Sequence, residues 1–371
     1  MPIVPLHGHA PLRRRLLDAA ARDALPASLL LQGPRGVGKQ RLALWLGQAL
    51  LCEGPHDDRP GGEPCGRCRH CRYAVELTHP DLHWYFPRER PKNPDQSPAE
   101  VQADYAAARA ERLERHGLYA PASGMEALFV ATVRALVQSA AVSPALARRK
   151  VFVVGDAERM VAQEGADAAA NAFLKLLEEP PADTLIILTS SEPGALLPTI
   201  RSRVVTLRVP PLAAGDVAGL LEDAQVREVL AGDGVRESAA TLAASLGGAP
   251  GSLFGGRERS AAAGEAQRLL AAVVQGGRPE RMRAAFMQGA SKARGAFSDV
   301  LDALTVALRD LARDASAPRS AADPTPRDEH RALAASRAVD AVERAKARAA
   351  GNVNPQLLTA ELLREMAAEF R

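Results

Sequence analysis

The chain has 371 residues, of which 47% are apolar and 25% charged, and its formal net charge is +3. This length fits two or three domains, and the charge is too small to indicate a nucleic-acid-binding protein by itself. No apolar run approaches the roughly 18 residues of a membrane span, and residues 1–10 lack the pattern of a signal peptide, so we expect a cytoplasmic protein without a membrane partner.

The first motif in chain order is a glycine-rich loop between a predicted strand at residues 28–32 and a predicted helix that ends near residue 52. Strand, loop and helix in this order are typical of a phosphate-binding loop, in which backbone N–H groups and a lysine contact phosphates. The motif calls for Ser or Thr after the lysine, where this chain has glutamine, so the loop is degenerate. The candidate phosphate-binding residues are Gly33, Gly36, Gly38, Lys39 and Gln40.

The next motif is a cluster of cysteines in a turn-rich segment. Two overlapping C-x-x-C steps follow an earlier cysteine, a spacing that can bring four thiolates together around one ion. The predicted ligands of a closed structural zinc site are Cys52, Cys65, Cys68 and Cys71. Two alternatives remain open: His56 or His70 replaces one cysteine, or the four residues are unrelated reduced thiols.

Short apolar runs alternate with helical patterns up to residue 209, which predicts a mostly parallel, doubly wound sheet. The further strands are predicted at residues 79–86, 150–155, 184–190 and 201–209, and helices near residues 126–147 and 168–178. The proline-rich, charged segment 87–124 is predicted to be a surface insertion with a partly formed helix near residues 101–115.

After residue 210 the strand signal ends and helical patterns continue to the C-terminus. The predicted fold class is therefore α/β followed by all-α. Three domains are predicted: a sheet domain at 1–210 that contains the cysteine knuckle at 52–71, a small helical lid at 211–253 and a helical C-terminal domain at 254–371.

Together these motifs resemble bacterial clamp-loader subunits, which are AAA+ proteins of the replicative DNA polymerase holoenzyme. The resemblance is carried by the glycine-rich loop, the cysteine insertion, the helix NAFLKLLEEPP at 171–181 and the turn Arg201–Ser202–Arg203. It implies an AAA+ sheet domain, a helical lid and a C-terminal collar that holds a hetero-oligomeric ring together.

The family contains motor subunits, which hydrolyse ATP, and delta-prime subunits, which usually do not. Motor subunits carry an aspartate for magnesium and then a glutamate after the third strand, where this chain has Gly155 and Asp156. Gln40 lacks the hydroxyl that would contact the metal, and the lid segment 246–254 contains no arginine. The chain therefore resembles the delta-prime class, with ATP binding doubtful and no hydrolysis expected from the isolated chain.

The resemblance also implies a role for Arg203 as an arginine finger that reaches the ATP site of a neighbouring subunit. From the residues alone, Arg203 would be a surface ion pair. The implied partners are motor and delta subunits and, indirectly, the sliding clamp and primed DNA at the nucleoid-associated replisome. The alternatives are an ATP-hydrolysing motor subunit or other P-loop ATPase, and a module that binds nucleic acid through its cysteine knuckle.

Overall fold

The computed structural model of the protein describes residues 2–55, 59–120, 122, 126–160, 167–254, 256–288, 294–316, 325–349 and 353–370. These residues form two compact units, of which the first ends at Phe254 and contains the sheet. The second unit is helical and follows residue 255. Among the described helices, none combines the length and the apolar character that crossing a membrane requires.

A five-stranded sheet with every strand pair parallel forms the centre of the first unit. Its spatial order is β2-β3-β4-β1-β5, and its strands are β1 (Ser28–Gln32), β2 (Leu82–Tyr85), β3 (Lys150–Val154), β4 (Thr184–Ser190) and β5 (Val205–Arg208). β3 and β4 are buried along their whole length, as expected of parallel strands that helices cover on both faces. The predicted α/β sheet is confirmed.

The helices of the first unit are α1 (Ala10–Ala21), α2 (Lys39–Leu51), α3 (Arg69–Val75), α4 (Pro98–Glu114), α5 (Val130–Ala141), α6 (Asp167–Glu178), α7 (Pro198–Arg201), α8 (Ala214–Glu222), α9 (Ala224–Gly232) and α10 (Ala239–Ser245). The helix α7 occupies the start of the strand predicted at 201–209, so that strand begins only at Val205. Helices α8 to α10 share an apolar cluster around Val217 and Val226. That these three helices form a separate lid domain at 211–253 stays a prediction.

The interpretation of segment 87–124 as a surface insertion is wrong for α4, which packs into the main core of the first unit. A capping box between Ser97 and Glu100 starts this helix. The Tyr105 hydroxyl donates a 2.7 Å hydrogen bond to the carbonyl oxygen of Phe86. The abundance of charged residues concealed an apolar stripe at helical spacing, namely the buried Val101, Tyr105 and Ala108.

The second unit consists of α11 (Gly256–Val274), α12 (Arg278–Phe286), α13 (Arg294–Ser316), α14 (Pro326–Ala349) and α15 (Pro355–Glu369). These helices pack around their own core, in which leucines of α13 meet small alanines of α14. Leu304, Leu308, Ala335 and Ala338 are all fully buried there. The predicted all-α C-terminal region is confirmed.

Candidate functional site

The glycine-rich loop lies at the carboxyl end of β1, the edge at which parallel sheets bind ligands. Gly36 and Gly38 have φ angles of 84° and 91°, in the left-handed region that favours glycine. A Cβ on Gly33 would lie 2.2 Å from the carbonyl oxygen of Val209, so only glycine fits there. The predicted order of strand, loop and helix is present, and α2 begins at Lys39.

The ammonium group of Lys39 is fully engaged within the protein. Nζ donates to the carbonyl oxygens of Gly33 at 2.9 Å and Pro34 at 2.8 Å, and to Ser191 Oγ at 2.9 Å. Burial lowers the pKa of Lys39 to about 8, although the carboxylates of Asp156 and Glu158 oppose this shift. Because three internal acceptors use the three N–H groups, a phosphate would have to displace at least one of them.

The side chain of Gln40 fills the space at the end of β3, beside Gly155. A Cβ on Gly155 would lie 2.4 Å from Gln40 Cδ and Oε1. The indole N–H of Trp84 donates a 2.9 Å hydrogen bond to Gln40 Oε1, and Gln40 Nε2 donates to Asp156 Oδ2 at 3.2 Å. Gln40 and Gly155 therefore fit each other sterically, and Trp84 and Asp156 fix the orientation of the carboxamide.

Two acidic residues follow Gly155 and lie near the lysine. Asp156 has a φ of 46°, and its backbone N–H donates to Thr189 Oγ1 at 3.1 Å. Glu158 Oε1 accepts a 3.0 Å hydrogen bond from the backbone N–H of Ser191. Burial raises the pKa of Glu158, and the neighbouring Asp156 charge adds to this effect.

A turn that follows α10 contacts the glycine-rich loop directly. The backbone N–H of Gly251 donates a 2.9 Å hydrogen bond to the carbonyl oxygen of Gly36. A Cβ on Gly251 would lie 2.8 Å from Gly36 Cα, so the approach requires glycine. Beside this contact lies a cleft with about 850 Å³ of empty space, part of it open to solvent, lined by Leu6, Lys39, Arg41, Tyr119, Leu212 and Phe254.

Arg203 follows α7 in the first unit and is not among the residues that line this cleft. Its Nε donates to Glu178 Oε1 at 2.8 Å, and Nη2 forms an ion pair with the same carboxylate. Nη1 donates to the carbonyl oxygen of Thr199 at 2.8 Å. The Arg203 side chain is about 30% exposed and therefore partly accessible.

The four cysteines converge as predicted. Their sulfur atoms all lie within 4.8 Å of one another, and the Cys65–Cys71 and Cys52–Cys68 sulfur pairs are separated by 4.0 and 3.9 Å. A tetrahedral zinc site with bonds of about 2.3 Å places its sulfur atoms about 3.8 Å apart. Backbone N–H groups of Gly54, Cys65, Cys68 and Cys71 donate to cysteine sulfurs, which favours thiolates. The cluster can therefore bind a metal ion.

His70 is not part of the sulfur cluster, although it was an alternative ligand. Its Nδ1 lies 2.8 Å from His79 Nε2, and its Nε2 lies 3.0 Å from Glu53 Oε2. Because the backbone N–H of Asp81 donates to His79 Nδ1, His79 carries its proton on Nε2 and donates it to His70. The other alternative ligand, His56, lies outside the described residues.

Asp81 connects the cysteine knuckle to the sheet. Its carboxylate accepts hydrogen bonds of 2.6 to 2.8 Å from the backbone N–H groups of residues 145, 146 and 147. Burial alone would raise the pKa of Asp81, but these three donors outweigh it and lower the pKa. A chain of hydrogen bonds thus runs from the loop before β3 through Asp81 and two histidines to Glu53, next to Cys52.

The predicted site residues form three separate groups: the glycine-rich loop, the sulfur cluster and the partly exposed Arg203. The sequence did not predict three residues that contact these groups. Trp84 contacts Gln40, Ser191 contacts Lys39 and Glu178 contacts Arg203. Trp84 follows Gln40 by 44 residues and Ser191 follows Lys39 by 152. Such contacts depend on the sheet order, which periodicity does not predict.

A family model described as "DNA polymerase III, delta subunit" matches residues 8–213, more than half of the chain. The DNA polymerase III subunit delta' of Bacillus subtilis is 30% identical over 53% of this chain and 46% of the relative. The subunit delta' of Pseudomonas aeruginosa is 34% identical over 52% of this chain and 45% of that relative. The subunit delta' of Escherichia coli is 33% identical over 47% of this chain and 40% of that relative. The chain thus spans less than half the length of these curated relatives.

Proposed function

Because this chain belongs to the DNA polymerase III delta subunit family, in its delta' branch, we propose that it is a non-hydrolysing subunit of a clamp-loader complex. In this role it joins motor and delta subunits in a hetero-oligomeric ring, as part of a DNA-directed DNA polymerase holoenzyme. The ring loads the sliding clamp on primed DNA at the replisome in the cytoplasm.

One observation carries the absence of hydrolysis in this proposal: the mutual fit of Gln40 and Gly155. Hydrolysis by P-loop proteins depends on a metal ion that a Ser or Thr hydroxyl and an aspartate hold. Here the carboxamide of Gln40 replaces the hydroxyl and fills the space beside Gly155, which has no carboxylate. The hydroxyl at position 40 and the carboxylate at position 155 are therefore both missing, and the next carboxylate, Asp156, accepts a hydrogen bond from Gln40 Nε2.

The surroundings of the loop support the same proposal. Lys39 donates to three internal acceptors, and Gly251 contacts Gly36. Both contacts stabilise the loop without a nucleotide. The retained glycines and Lys39 form a phosphate cradle whose occupation by ATP is not needed for the subunit's role.

We further propose that Arg203 acts in trans as an arginine finger. Its side chain is partly exposed on a turn anchored by the buried Ile200 and Val204. A planar, permanently charged group on a fixed turn can stabilise the charge that develops on a transferred phosphoryl group of a neighbouring subunit.

The test is ATP turnover by the purified chain, alone and assembled with the motor and delta subunits of its own organism. We expect no turnover above background for the chain alone. In the assembly, Arg203→Ala should abolish the share of turnover from the adjoining site, because arginine fingers contribute about 10³- to 10⁵-fold. The neighbouring exposed Arg201→Ala is the matched control and should leave the rate unchanged.

Turnover by the isolated chain that Lys39→Ala abolishes would instead identify a motor subunit or another P-loop ATPase. An unchanged assembly rate with Arg203→Ala would refute the finger. These two outcomes are independent, so the absence of hydrolysis and the action in trans are tested separately.

We propose that the sulfur cluster binds one structural zinc ion through Cys52, Cys65, Cys68 and Cys71. X-ray absorption of the reduced protein should then give four sulfur neighbours at about 2.3 Å and no nitrogen neighbour. His70→Ala should leave this spectrum unchanged, whereas Cys71→Ser should alter it. Elemental analysis that finds no zinc in freshly purified protein would contradict the proposal.

A further inference from the structure

The contacts of Arg203 define one orientation of its guanidinium group. Nε and Nη2 face the carboxylate of Glu178, and Nη1 donates to Thr199 O at 2.8 Å and Ser202 Oγ at 3.2 Å. These four contacts use most of the five N–H donors and engage all three guanidinium nitrogens. Glu178 on one side and the end of α7 on the other therefore fix the orientation of the group, while about 30% of the side chain stays exposed.

The residues that hold Arg203 are themselves anchored in the core. Glu178 is the last residue of α6, in which Phe173 and Leu177 are 0% and 4% exposed. On the other side, Ile200 of α7 is fully buried. The carboxylate and the Thr199 carbonyl are thus carried by two packed elements, and Arg203 bridges them.

We propose that Glu178 is a positioning residue for Arg203, an inference that rests on the finger role proposed above. An arginine side chain is long and flexible, and it loses rotamer freedom when it docks. Glu178 restricts the side chain before the neighbouring subunit arrives, so that less freedom is lost when Arg203 contacts the phosphoryl group. Glu178 itself does not contact the nucleotide.

The sequence supplies a matched control in the next residue. Glu179 has the same charge and lies at the same end of α6, and among the described residues it forms no ion pair with Arg203. Glu178→Gln and Glu179→Gln therefore change the net charge identically, but only the first weakens the contact to the guanidinium.

The experiment measures ATP turnover by the full chain assembled with motor and delta subunits, for Glu178→Gln, Glu179→Gln, Arg203→Ala and the double variant Glu178→Gln/Arg203→Ala. We expect Glu178→Gln to lower kcat at the adjoining site by at least about threefold. The loss should stay below the roughly 100-fold that a 1 Å misplacement of a catalytic group costs. KM for ATP should stay unchanged, and Glu179→Gln should match the wild type. The double variant should equal Arg203→Ala, because Glu178 acts only through Arg203.

Three results would overturn the inference: equal rates for the two glutamine variants, a faster rate with Glu178→Gln, or an equal loss when Arg203 is already alanine. Thermal melting of each free variant checks the fold, which should be retained because Glu178 is exposed. If Arg203→Ala has no effect, the finger fails and this inference fails with it. If Arg203→Ala lowers the rate and Glu178→Gln does not, only the inference fails.

Discussion

At the scale of single residues, the side chains of the glycine-rich loop contact other parts of the protein at the positions where a phosphate loop contacts its ligand. Lys39 donates to protein oxygens and Gln40 fills the space that Gly155 leaves free. A phosphate loop normally presents such groups to a ligand and its metal. In this chain Lys39 and Gln40 contact other groups of the protein instead, so the free energy of unfolding of the ligand-free protein should report these interactions.

The first prediction concerns the fit between Gln40 and Gly155. Gly155→Ala should destabilise the protein by about 1–3 kcal/mol, because the new Cβ would overlap the Gln40 carboxamide. In a Gln40→Ala background the cost of Gly155→Ala should be clearly smaller. Urea unfolding of the wild type, the two single variants and the double variant measures the coupling free energy between positions 40 and 155.

A matched control for this prediction is Gly215→Ala in α8, since a Cβ there would have no atom within 4 Å. It should leave stability unchanged or raise it by up to about 1 kcal/mol. Equal costs of Gly155→Ala with glutamine or alanine at position 40 would contradict the steric argument.

The second prediction follows from the buried ammonium of Lys39. Its pKa is about 8 in the folded protein against an ordinary value of 10.5, so the unfolded chain binds more protons between these values. Stability should therefore rise with pH across this window relative to Lys39→Met, by on the order of 1–3 kcal/mol. Below pH 8 the difference between the two proteins should be constant.

Unfolding of both proteins by urea at pH 7, 8, 9 and 10 tests this sign. The exposed Lys175→Met on α6 is the control and should parallel the wild type at every pH. A stability difference between wild type and Lys39→Met that falls as the pH rises would contradict the prediction.

At the scale of elements, the strands and the loop were predictable because their signals are local. The buried strands β3 and β4 are continuous apolar runs, and the glycines of the loop are close in sequence. The helix α4 was predicted, but its burial was not, because the aromatic residues it packs on come from β2 and beyond. Arg112 lies over the rings of Phe86 and Tyr119, 3.2 and 3.8 Å from their centroids.

The burial of α4 gives the third prediction. Tyr105→Ala should destabilise the first unit by about 3–5 kcal/mol, since the ring is 3% exposed and its hydroxyl pairs with Phe86. The half-exposed Tyr73→Ala on α3 is the control and should cost much less. Thermal unfolding compares them, and a loss near zero for Tyr105→Ala would restore the interpretation of segment 87–124 as a surface insertion.

At the scale of the whole molecule, each compact unit has its own apolar packing: the first contains the main core around the sheet and the smaller cluster of α8 to α10, and the second has a separate helical core. The sequence shows a change from alternating strands and helices to helices alone after residue 210, but the first unit continues through α8 to α10 to Phe254. The alanine-rich composition of the second unit matches its core, in which the alanines of α14 face larger side chains of α13. The contacts of Arg203 were not visible, because Glu178 lies 25 residues earlier on another element.

The fourth prediction is that each core responds to its own substitutions. Leu188→Ala in β4 and Leu304→Ala in α13 each remove a fully buried side chain and should cost about 2–5 kcal/mol. Hydrogen exchange followed by mass spectrometry should report lower protection only in the unit that carries the substitution. Equal loss in both units from either variant would show a single cooperative structure instead.

The fit of Gln40 with Gly155 also bears on how easily this sequence could change by mutation. An aspartate introduced first at position 155 meets the carboxamide, while a threonine introduced first at position 40 leaves the Trp84 indole N–H without its partner. Each single step passes through a less stable protein, and the benefit of a metal contact requires both. The two positions therefore constrain each other's mutations, because either single change is expected to cost stability.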